Sequence, residues 1–376
     1  ETVLLKLRRR YHARVAGWLE AHAGERLGEY LGVIAGHYEL AREPVKATQY
    51  LRRSGEEAYR TNAYGDAHAA FERALGLLPG AFQSERACVA VGLGQVRLRL
   101  GKLAAARTCL EEGLGVARSA GERGSEVAAL NGLGEVAWRQ GEWEAARRYL
   151  QDALALAQDC GDVKGQALAA QHLARVGWLR ADYDQAERWA EESERWYEQA
   201  GDRQGLMSAR NELAIVDTRR GELERAKASY VANLALAREM GDRFREAQAL
   251  NTLGVAAFAQ GVYEEARAYY EQSLVIDEEI RHNMGRALAL GNLGEVCIVQ
   301  GQDGAAWEYL SRALRENVAM QDTPHALNDL VSIAHLRARA GQPERAAELL
   351  GLALYHPASY NEVERDAQSV LELLRE

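Results

Sequence analysis

The chain has 376 residues, of which 47% are apolar and 27% are charged, a balance typical of a folded protein. Its net charge is −9, so neither nucleic acid nor an anionic membrane is expected as a partner. Apolar runs extend over only a few residues, so no segment is predicted to span a membrane.

Residues 1–47 are predicted to form an N-terminal helical segment that lacks the repeat described below. Apolar residues at helical spacing, Tyr11 and Trp18 among them, form the stripe of a first helix. A second helix contains Ile34 and Tyr38. The sequence therefore predicts two helices before the repeats begin.

Five basic residues lie in the first predicted helix. They are Lys6, Arg8, Arg9, Arg10 and Arg14. One interpretation is a contact with nucleic acid or a nucleotide. The other, which we favour because a single basic turn is weak evidence for nucleic acid, is a solvated face or a surface that docks an acidic domain.

From residue 48 onwards the chain repeats with a period of forty residues. A turn glycine recurs in register, an alanine follows it after five residues, and a leucine or isoleucine precedes it by eight. Such a period is the signature of a solenoid of helix pairs. The three register positions hold Gly101, Gly141, Ala181, Gly221, Gly261, Gly301 and Gly341; Ala106, Ala146, Ala186, Ala226, Ala266, Ala306 and Ala346; and Leu93, Leu133, Leu173, Leu213, Leu253, Leu293 and Ile333.

The recurring glycine is predicted to end the first helix of each unit in a left-handed conformation. Second helices are then expected to begin near residues 102, 142, 182, 222, 262, 302 and 342. The first unit is one residue out of register, with Asn62 in place of the glycine. No proline occurs in residues 80–323, which favours uninterrupted helices. We predict eight units over residues 48–357 and a capping helix over residues 358–376.

The unit resembles the tetratricopeptide repeat, although it has forty residues and lacks the terminal proline of that repeat. The resemblance is carried by Leu133-Gly134, Gly141, Ala146, Leu150 and Ala153. It implies an all-α, right-handed superhelix, that is, an α-solenoid of about eight helix pairs with helical caps. It is specific for fold and only weakly specific for function.

Residues 8–75 resemble the junction in bacterial STAND-type signalling ATPases where a winged-helix segment passes into tetratricopeptide repeats. That resemblance implies a sensor arm, with residues 1–47 as the tail of a preceding winged-helix or ATPase region. A reducing cytoplasm is favoured separately, because the four cysteines lack the spacing of a disulfide framework. The alternative is a free-standing scaffold that assembles a complex through its convex face.

In tetratricopeptide arrays the first helices line the concave side. One inward position lies three residues before the glycine of the leucine-glycine pair. In four consecutive repeats this position holds a carboxamide: Asn131, Gln171, Asn211 and Asn251. A carboxamide both donates and accepts, so such a ladder can bind an extended peptide backbone. The alternative is that these side chains bond neighbouring helices and hold the stack together. The other predicted groove residues are Glu135, Arg175, Trp138, Trp178, Arg139, Arg219 and Phe258.

The tryptophans of that set are expected to provide apolar pockets, and the arginines are expected to bind a carboxylate or phosphate. The sequence has no G-x-x-x-x-G-K-[ST] motif, and Gly92-Leu93-Gly94 follows no predicted strand. Four scattered cysteines lack C-x-x-C spacing, which indicates free thiols. We therefore predict that this segment is not an enzyme and has no cofactor or metal. Its expected partner is a protein, a peptide or a small ligand.

Overall fold

The structure is a computed structural model that describes residues 2–78, 82–320, 322–356, 359 and 361–374. Over these residues it consists of nineteen α-helices and one short 3-10 helix, Gly24–Arg26, without any strand. The prediction of an all-α chain is confirmed. The helices are α1 (Thr2–His22), α2 (Leu27–Ala41), α3 (Pro44–Arg60), α4 (Tyr64–Leu77), α5 (Gln83–Arg99), α6 (Leu103–Ala120), α7 (Arg123–Arg139), α8 (Trp143–Cys160), α9 (Val163–Leu179), α10 (Tyr183–Gln199), α11 (Arg203–Arg220), α12 (Leu223–Met240), α13 (Arg243–Ala259), α14 (Tyr263–Glu279), α15 (Asn283–Val299), α16 (Asp303–Met320), α17 (Thr323–Arg339), α18 (Pro343–Leu354) and α19 (Asn361–Leu373).

The second helices begin one residue after the predicted positions, from Leu103 in α6 to Pro343 in α18. The fit confirms the forty-residue register. The first helix of the first unit begins at Pro44, four residues before the predicted start, because the fixed φ of proline suits the first turn of a helix. Residues 358, 360, 375 and 376 of the predicted capping segment lie outside the described residues.

The helices form two compact units. The first comprises Glu1–Val136 with Arg148–Gly165, and the second comprises Ala137–Arg147 with Gln166–Glu376. In the first unit a buried core runs through Ala35, Leu51, Phe71 and Leu93. In the second, α19 covers the last helix pair, because Val363, Ala367 and Val370 pack against Leu327 and Leu350. This covering is the role that the sequence predicts for a capping helix.

Small residues allow the two helices of a pair to approach closely. Ala146 and Ala266, which follow the turn glycine by five residues, are completely buried. A Cβ atom on Gly134 would lie 2.5 Å from Cδ2 of Leu150, and one on Gly254 would lie 2.4 Å from Cε1 of Tyr270. These positions are held to alanine and glycine by packing, because a larger side chain would force the helices apart.

The turn between paired helices uses the left-handed backbone region even where glycine is absent. Gly141 and Gly221 have φ values of 76° and 81°, as predicted for C′ glycines. Ala181 and Asn62, which take the place of glycine in their units, both have φ 61°. The register thus imposes the conformation, and Ala181 adopts it at a steric cost that glycine avoids.

We expect Ala181→Gly to stabilise the second unit by about 0.5–1 kcal/mol, because the relief of left-handed strain exceeds the entropy that glycine adds to the unfolded chain. Gly221→Ala is the matched control at the same register position, and no atom lies within 4 Å of its added Cβ. It is expected to destabilise by a similar amount. Urea titrations followed by circular dichroism measure both changes, and shifts of equal sign would contradict the argument.

The N-terminal helix α1 packs on α2 through one face and leaves the opposite face uncovered. Ala16, Ile34 and Tyr38 are buried together, with Leu19 partly buried beside them. On the outer face Trp18 is 59% exposed and Leu4 is 74% exposed. None of the described helices combines the length and the apolar composition that a membrane span requires.

Candidate functional site

The predicted groove residues all lie on first helices of the repeat pairs. Helix α7 carries Asn131, Glu135, Trp138 and Arg139; α9 carries Gln171, Arg175 and Trp178; α11 carries Asn211 and Arg219; and α13 carries Asn251 and Phe258. Asn131 and Glu135 belong to the first compact unit and the others to the second.

In the first unit Asn131 bonds a neighbouring repeat. Its side chain is buried, and Nδ2 donates to the carbonyl oxygen of Gly165 across 3.3 Å. The other amide atom, Oδ1, is buried without a hydrogen-bond partner. Asn131 thus helps to hold α7 against the start of α9. This contact agrees with the alternative interpretation, in which the carboxamides bond neighbouring helices.

Glu135 is buried and paired with an arginine of the preceding repeat. Its Oε1 lies 3.3 Å from Nη1 of Arg99, and Nε of Arg99 donates to the hydroxyl oxygen of Tyr59 at 3.0 Å. The Glu135 carboxylate raises the pKa of the Arg99 guanidinium above its usual range. One polar chain thereby links α3, α5 and α7.

Next to the polar groups of Tyr59, Arg99 and Glu135, the first helices line a cleft of about 280 Å³. Most of its lining residues belong to α3, α5 and α7, and Phe71 comes from the second helix α4. The lining consists of Glu56, Tyr59, Phe71, Cys88, Val91, Gly92, Gln95, Gly124, Ser125 and Ala128. Val91 and Gln95 occupy the register positions of Asn131 and Glu135, so the inward positions of the first helices do line a concave site in this unit.

In the second unit Arg175 is already engaged. Its guanidinium forms an ion pair with Glu212, in which Nε lies 3.3 Å from Oε2, and it lies over the ring of Trp138 at 5.4 Å from the centroid. Trp178 donates from Nε1 to the same carboxylate at 2.8 Å. Arg139 contacts the Trp138 ring as well, at 5.5 Å. Four of the predicted groove residues therefore form one cluster around a carboxylate that the chain itself supplies.

That carboxylate, Glu212, was not predicted as a site residue. It is completely buried, and its register position holds glycine, histidine, threonine, asparagine, serine or arginine in the other repeats. A sequence signal exists nevertheless. Glu212 follows Arg175 by 37 residues, and Glu135 follows Arg99 by 36. A glutamate that follows an arginine by slightly less than the repeat length therefore indicates an ion pair between adjacent first helices.

Among the ladder residues of the second unit, Gln171 and Asn251 have partners within the chain. Oε1 of Gln171 accepts a hydrogen bond from the Tyr197 hydroxyl at 3.2 Å. Oδ1 of Asn251 accepts from Nδ2 of Asn292 at 3.0 Å. Both contacts join helices, so the structural alternative describes these two side chains as well as Asn131.

Asn211 differs from the other three. Its side chain is 8% exposed and makes no hydrogen bond to any residue that the structure describes. The position that supplies Asn292 to Asn251 is occupied by Thr252 one repeat earlier, and the Thr252 hydroxyl donates to the backbone oxygens of Gln248 and Ala249 instead. Asn211 is therefore the ladder residue whose amide remains available to a ligand.

The last two predicted residues are only partly accessible. Phe258 is half-buried and packs edge-on against Tyr263, with ring centroids 5.4 Å apart. Arg219 is half-buried near the end of α11. Neither residue is placed against the Arg175 cluster by a described contact.

A second polar series, absent from the predicted set, holds helix pairs together. Ser193, Asn233 and Ser273 lie forty residues apart on second helices. They donate to the backbone oxygens of Ala167, Met207 and Ala247 at 2.8, 2.9 and 2.9 Å. Their period reveals them in the sequence, but only the structure shows that they point into the helix pair.

With this geometry established, the fold is that of a tetratricopeptide α-solenoid. Residues 85–159 and 245–315 match the family model of the tetratricopeptide repeat. No curated protein matches the chain by sequence.

Three solved structures resemble it along much of its length. A Rap protein complexed with Competence and Sporulation Factor is 16% identical, with a TM-score of 0.60 over 87% of this chain and 98% of its own. The Rap conjugation gene regulator of plasmid pLS20, in complex with the Phr* peptide, is 17% identical, with a TM-score of 0.63 over 76% of each chain. NprR in complex with its cognate peptide NprX is 14% identical, with a TM-score of 0.58 over 87% of this chain and 98% of its own. At these identities the likeness establishes the fold alone.

Proposed function

We propose that this chain is a non-catalytic recognition module that binds an extended peptide, or an extended segment of a protein, on the inward face of its first helices. One observation carries the proposal. In the first unit, the inward positions of consecutive first helices line a cleft of about 280 Å³. Concave sites with a few placed polar groups are the usual form of a ligand site.

Asn211 supports the same face as a binding surface in the second unit. A carboxamide that is almost buried and unpaired is costly, and a peptide backbone supplies both the donor and the acceptor that it lacks. The similar Rap and NprR structures are complexes with Competence and Sporulation Factor, the Phr* peptide and the peptide NprX. Peptide ligands in two structures of this fold, the Rap conjugation gene regulator and NprR, support a peptide here.

The described side chains favour binding over catalysis. The best candidate for a hydrolytic group is the buried cluster of Ser273, Asp277 and His282. There the Ser273 hydroxyl lies 3.3 Å from Asp277, and the His282 ring bonds that same carboxylate at 2.8 Å. The histidine thus bonds the aspartate and not the serine, so the described contacts do not form the serine–histidine pair of an activated nucleophile. The described residues also contain no group of three or more His, Cys, Asp or Glu that could hold a metal ion.

We propose further that the module is the sensor arm of a bacterial, cytoplasmic multidomain signalling ATPase. The uncovered face of α1 supports this context, because Trp18 and Leu4 are large apolar side chains that a neighbouring domain would cover. The scaffold alternative needs no such neighbour. A reading frame with an ATPase upstream of residue 1 supports the sensor arm, and a short frame supports the scaffold.

The proposal is tested by selecting ligands from a displayed library of random short peptides on the intact chain. We expect Asn211→Ala to raise the Kd of the selected peptides roughly 5–30-fold, about 1–2 kcal/mol, with little change in stability. Asn131→Ala is the matched control. It removes the bond to the Gly165 carbonyl and is expected to lower stability by about 1 kcal/mol. Isothermal titration calorimetry and urea titration separate the two effects.

The opposite pattern would remove the first-helix face as the binding site. That pattern is an Asn211→Ala variant that melts early yet binds normally when folded. A library that yields no peptide for the wild-type chain, while a native partner binds through second-helix residues, would favour the scaffold.

A further inference from the structure

The cleft of the first unit has a composition that selects its ligand. We infer that it is a specificity pocket that takes one uncharged aliphatic side chain of the bound peptide, while Gln95 binds the peptide backbone beside that side chain. This inference rests on the proposed function and names the residue type that the site recognises.

The floor of the cleft is apolar and closely packed. Phe71 and Val91 are 2% and 3% exposed, so they offer carbon surface and no polar atom. A Cβ atom on Gly92 would lie 2.7 Å from Cζ of Phe71, so glycine allows the aromatic ring to pack directly against the backbone of α5 beneath the cleft. Aliphatic carbon is the ligand surface that gains most from contact with such a floor.

The charged groups at the cleft already form ion pairs or hydrogen bonds within the chain. Glu56 forms an ion pair with Arg52, whose Nε also lies 2.8 Å from Glu85. On the other side, the Tyr59 hydroxyl accepts a hydrogen bond from Arg99, which is paired with Glu135. An anionic ligand side chain would meet Glu56 and Glu85, two carboxylates that share the single Arg52, and a cationic one would have to compete with Arg52 for Glu56. Either would also lose its hydration, which is costly, so the lining favours a neutral side chain.

Gln95 supplies the polar contact that a peptide needs at this point. It is half-buried on α5, and its carboxamide makes no hydrogen bond to the residues that the structure describes. The remaining polar pair, Cys88 and Ser125, is satisfied internally, because Sγ and Oγ lie 3.2 Å apart. Gln95 thus has both a donor and an acceptor to offer, and neither is engaged within the described residues.

The size of the cleft fits one anchor and not a whole ligand. Its volume of about 280 Å³ lies at the lower limit of small-molecule pockets, which measure roughly 300–1,000 Å³. The rest of an extended peptide must then contact surface beyond the cleft. A single buried anchor surrounded by weaker contacts is the usual distribution of binding energy.

The test fills the cleft without disturbing the core. Gly124 lines the cleft, and a Cβ atom added there meets no atom within 4 Å, so Gly124→Leu is expected to fold normally. Gly115→Leu on α6 is the matched control, since Gly115 also has open space and lies outside the cleft lining. Against peptides selected on the wild-type chain, Gly124→Leu is expected to weaken binding about tenfold or more and Gly115→Leu to leave it unchanged. Ala128→Leu serves the same purpose if Gly124→Leu folds poorly.

A second readout uses Cys88, which lines the cleft. In a Cys160→Ser background the two other thiols, Cys109 and Cys297, are buried, so iodoacetamide reports on Cys88. Bound peptide is expected to slow alkylation of Cys88 several-fold. The selected peptides should share one aliphatic position, and its replacement by aspartate or lysine should abolish both protection and affinity.

The outcomes separate the two proposals. If peptides bind Gly124→Leu as tightly as the wild type and leave Cys88 reactive, the pocket is overturned while peptide recognition stands. If no peptide binds the wild-type chain, the proposed function fails together with the pocket. A shared acidic or basic anchor would overturn the assignment of a neutral side chain.

Discussion

Glu212→Ala is expected to destabilise the second unit by roughly 2–4 kcal/mol. The substitution leaves the Arg175 guanidinium and the Trp178 indole N–H without the buried carboxylate that they share. Loss of one partner of a buried pair costs about 3–5 kcal/mol, and this value is reduced here because the Arg175 side chain is still 25% exposed and keeps part of its hydration. Urea titration followed by circular dichroism measures the change.

The matched control is an ion pair of the same residue types at the surface. Arg203 and Glu239 lie 3.4 Å apart, with side chains that are 59% and 64% exposed. Glu239→Ala should therefore cost at most about 0.5 kcal/mol. Equal effects of the two substitutions would mean that water replaces the Glu212 carboxylate at no cost, and the cluster would then have no structural role.

The helix positions follow from the sequence because they depend on local chemistry repeated at a fixed period. The turn after each first helix needs a residue in the left-handed backbone region, and Gly141 and its equivalents mark that position in the sequence. Ala181 adopts the same left-handed conformation as the turn glycines, because the neighbouring repeats fix where its helix must end. Period and turn chemistry together thus place every second helix within one residue.

The partners of the polar side chains do not follow from one repeat, because each depends on the residue presented by the next repeat. Asn211 and Asn251 are the same residue in the same register, yet Asn251 accepts from Asn292, whereas the equivalent residue of the repeat after Asn211, Thr252, bonds its own helix backbone. For the same reason Arg175, predicted to bind a ligand carboxylate, is held by Glu212. Some predicted groove residues, such as Arg175 and Asn251, therefore hold the stack together, whereas Asn211 remains available to a ligand.

A similar mismatch with the repeat occurs at Asp329 in α17. Alanine occupies this register position in five other repeats and valine in one, but Asp329 is 5% exposed in the core. Its Oδ2 accepts a hydrogen bond from Nδ2 of Asn317 at 2.8 Å, and Oδ1 would lie 3.1 Å from a Cβ atom on Gly291. Burial raises the pKa of Asp329 to about 7, although the Asn317 hydrogen bond and the nearby His325 oppose that shift. Asp322 also faces this carboxyl group and raises its pKa slightly.

The raised pKa makes the last repeat less stable as pH rises. Between the ordinary value of 3.8 and about 7, the folded chain keeps a proton on Asp329 that the unfolded chain loses. The unfolded state then binds fewer protons than the folded state, so the free energy of unfolding falls with pH across this range and levels off above it. The total loss is on the order of 4 kcal/mol, since each pKa unit corresponds to about 1.4 kcal/mol.

Asp329→Asn, which keeps the shape and removes the charge, is expected to be several kcal/mol more stable than the wild type at about pH 8 and nearly equal to it at about pH 3. Because repeat arrays can open one end at a time, hydrogen exchange of α17 and α18 measures the change where it arises. Asp322→Asn is the control of opposite sign. Burial opposes ionisation of Asp322 too, but hydrogen bonds from His325 outweigh it and lower the pKa of Asp322, so this variant is expected to lose stability near neutral pH. Parallel pH profiles for the wild type and Asp329→Asn would show that Asp329 is ionised in the folded chain at neutral pH, and the core would then tolerate a charge at a position that six of the seven other repeats give to alanine or valine.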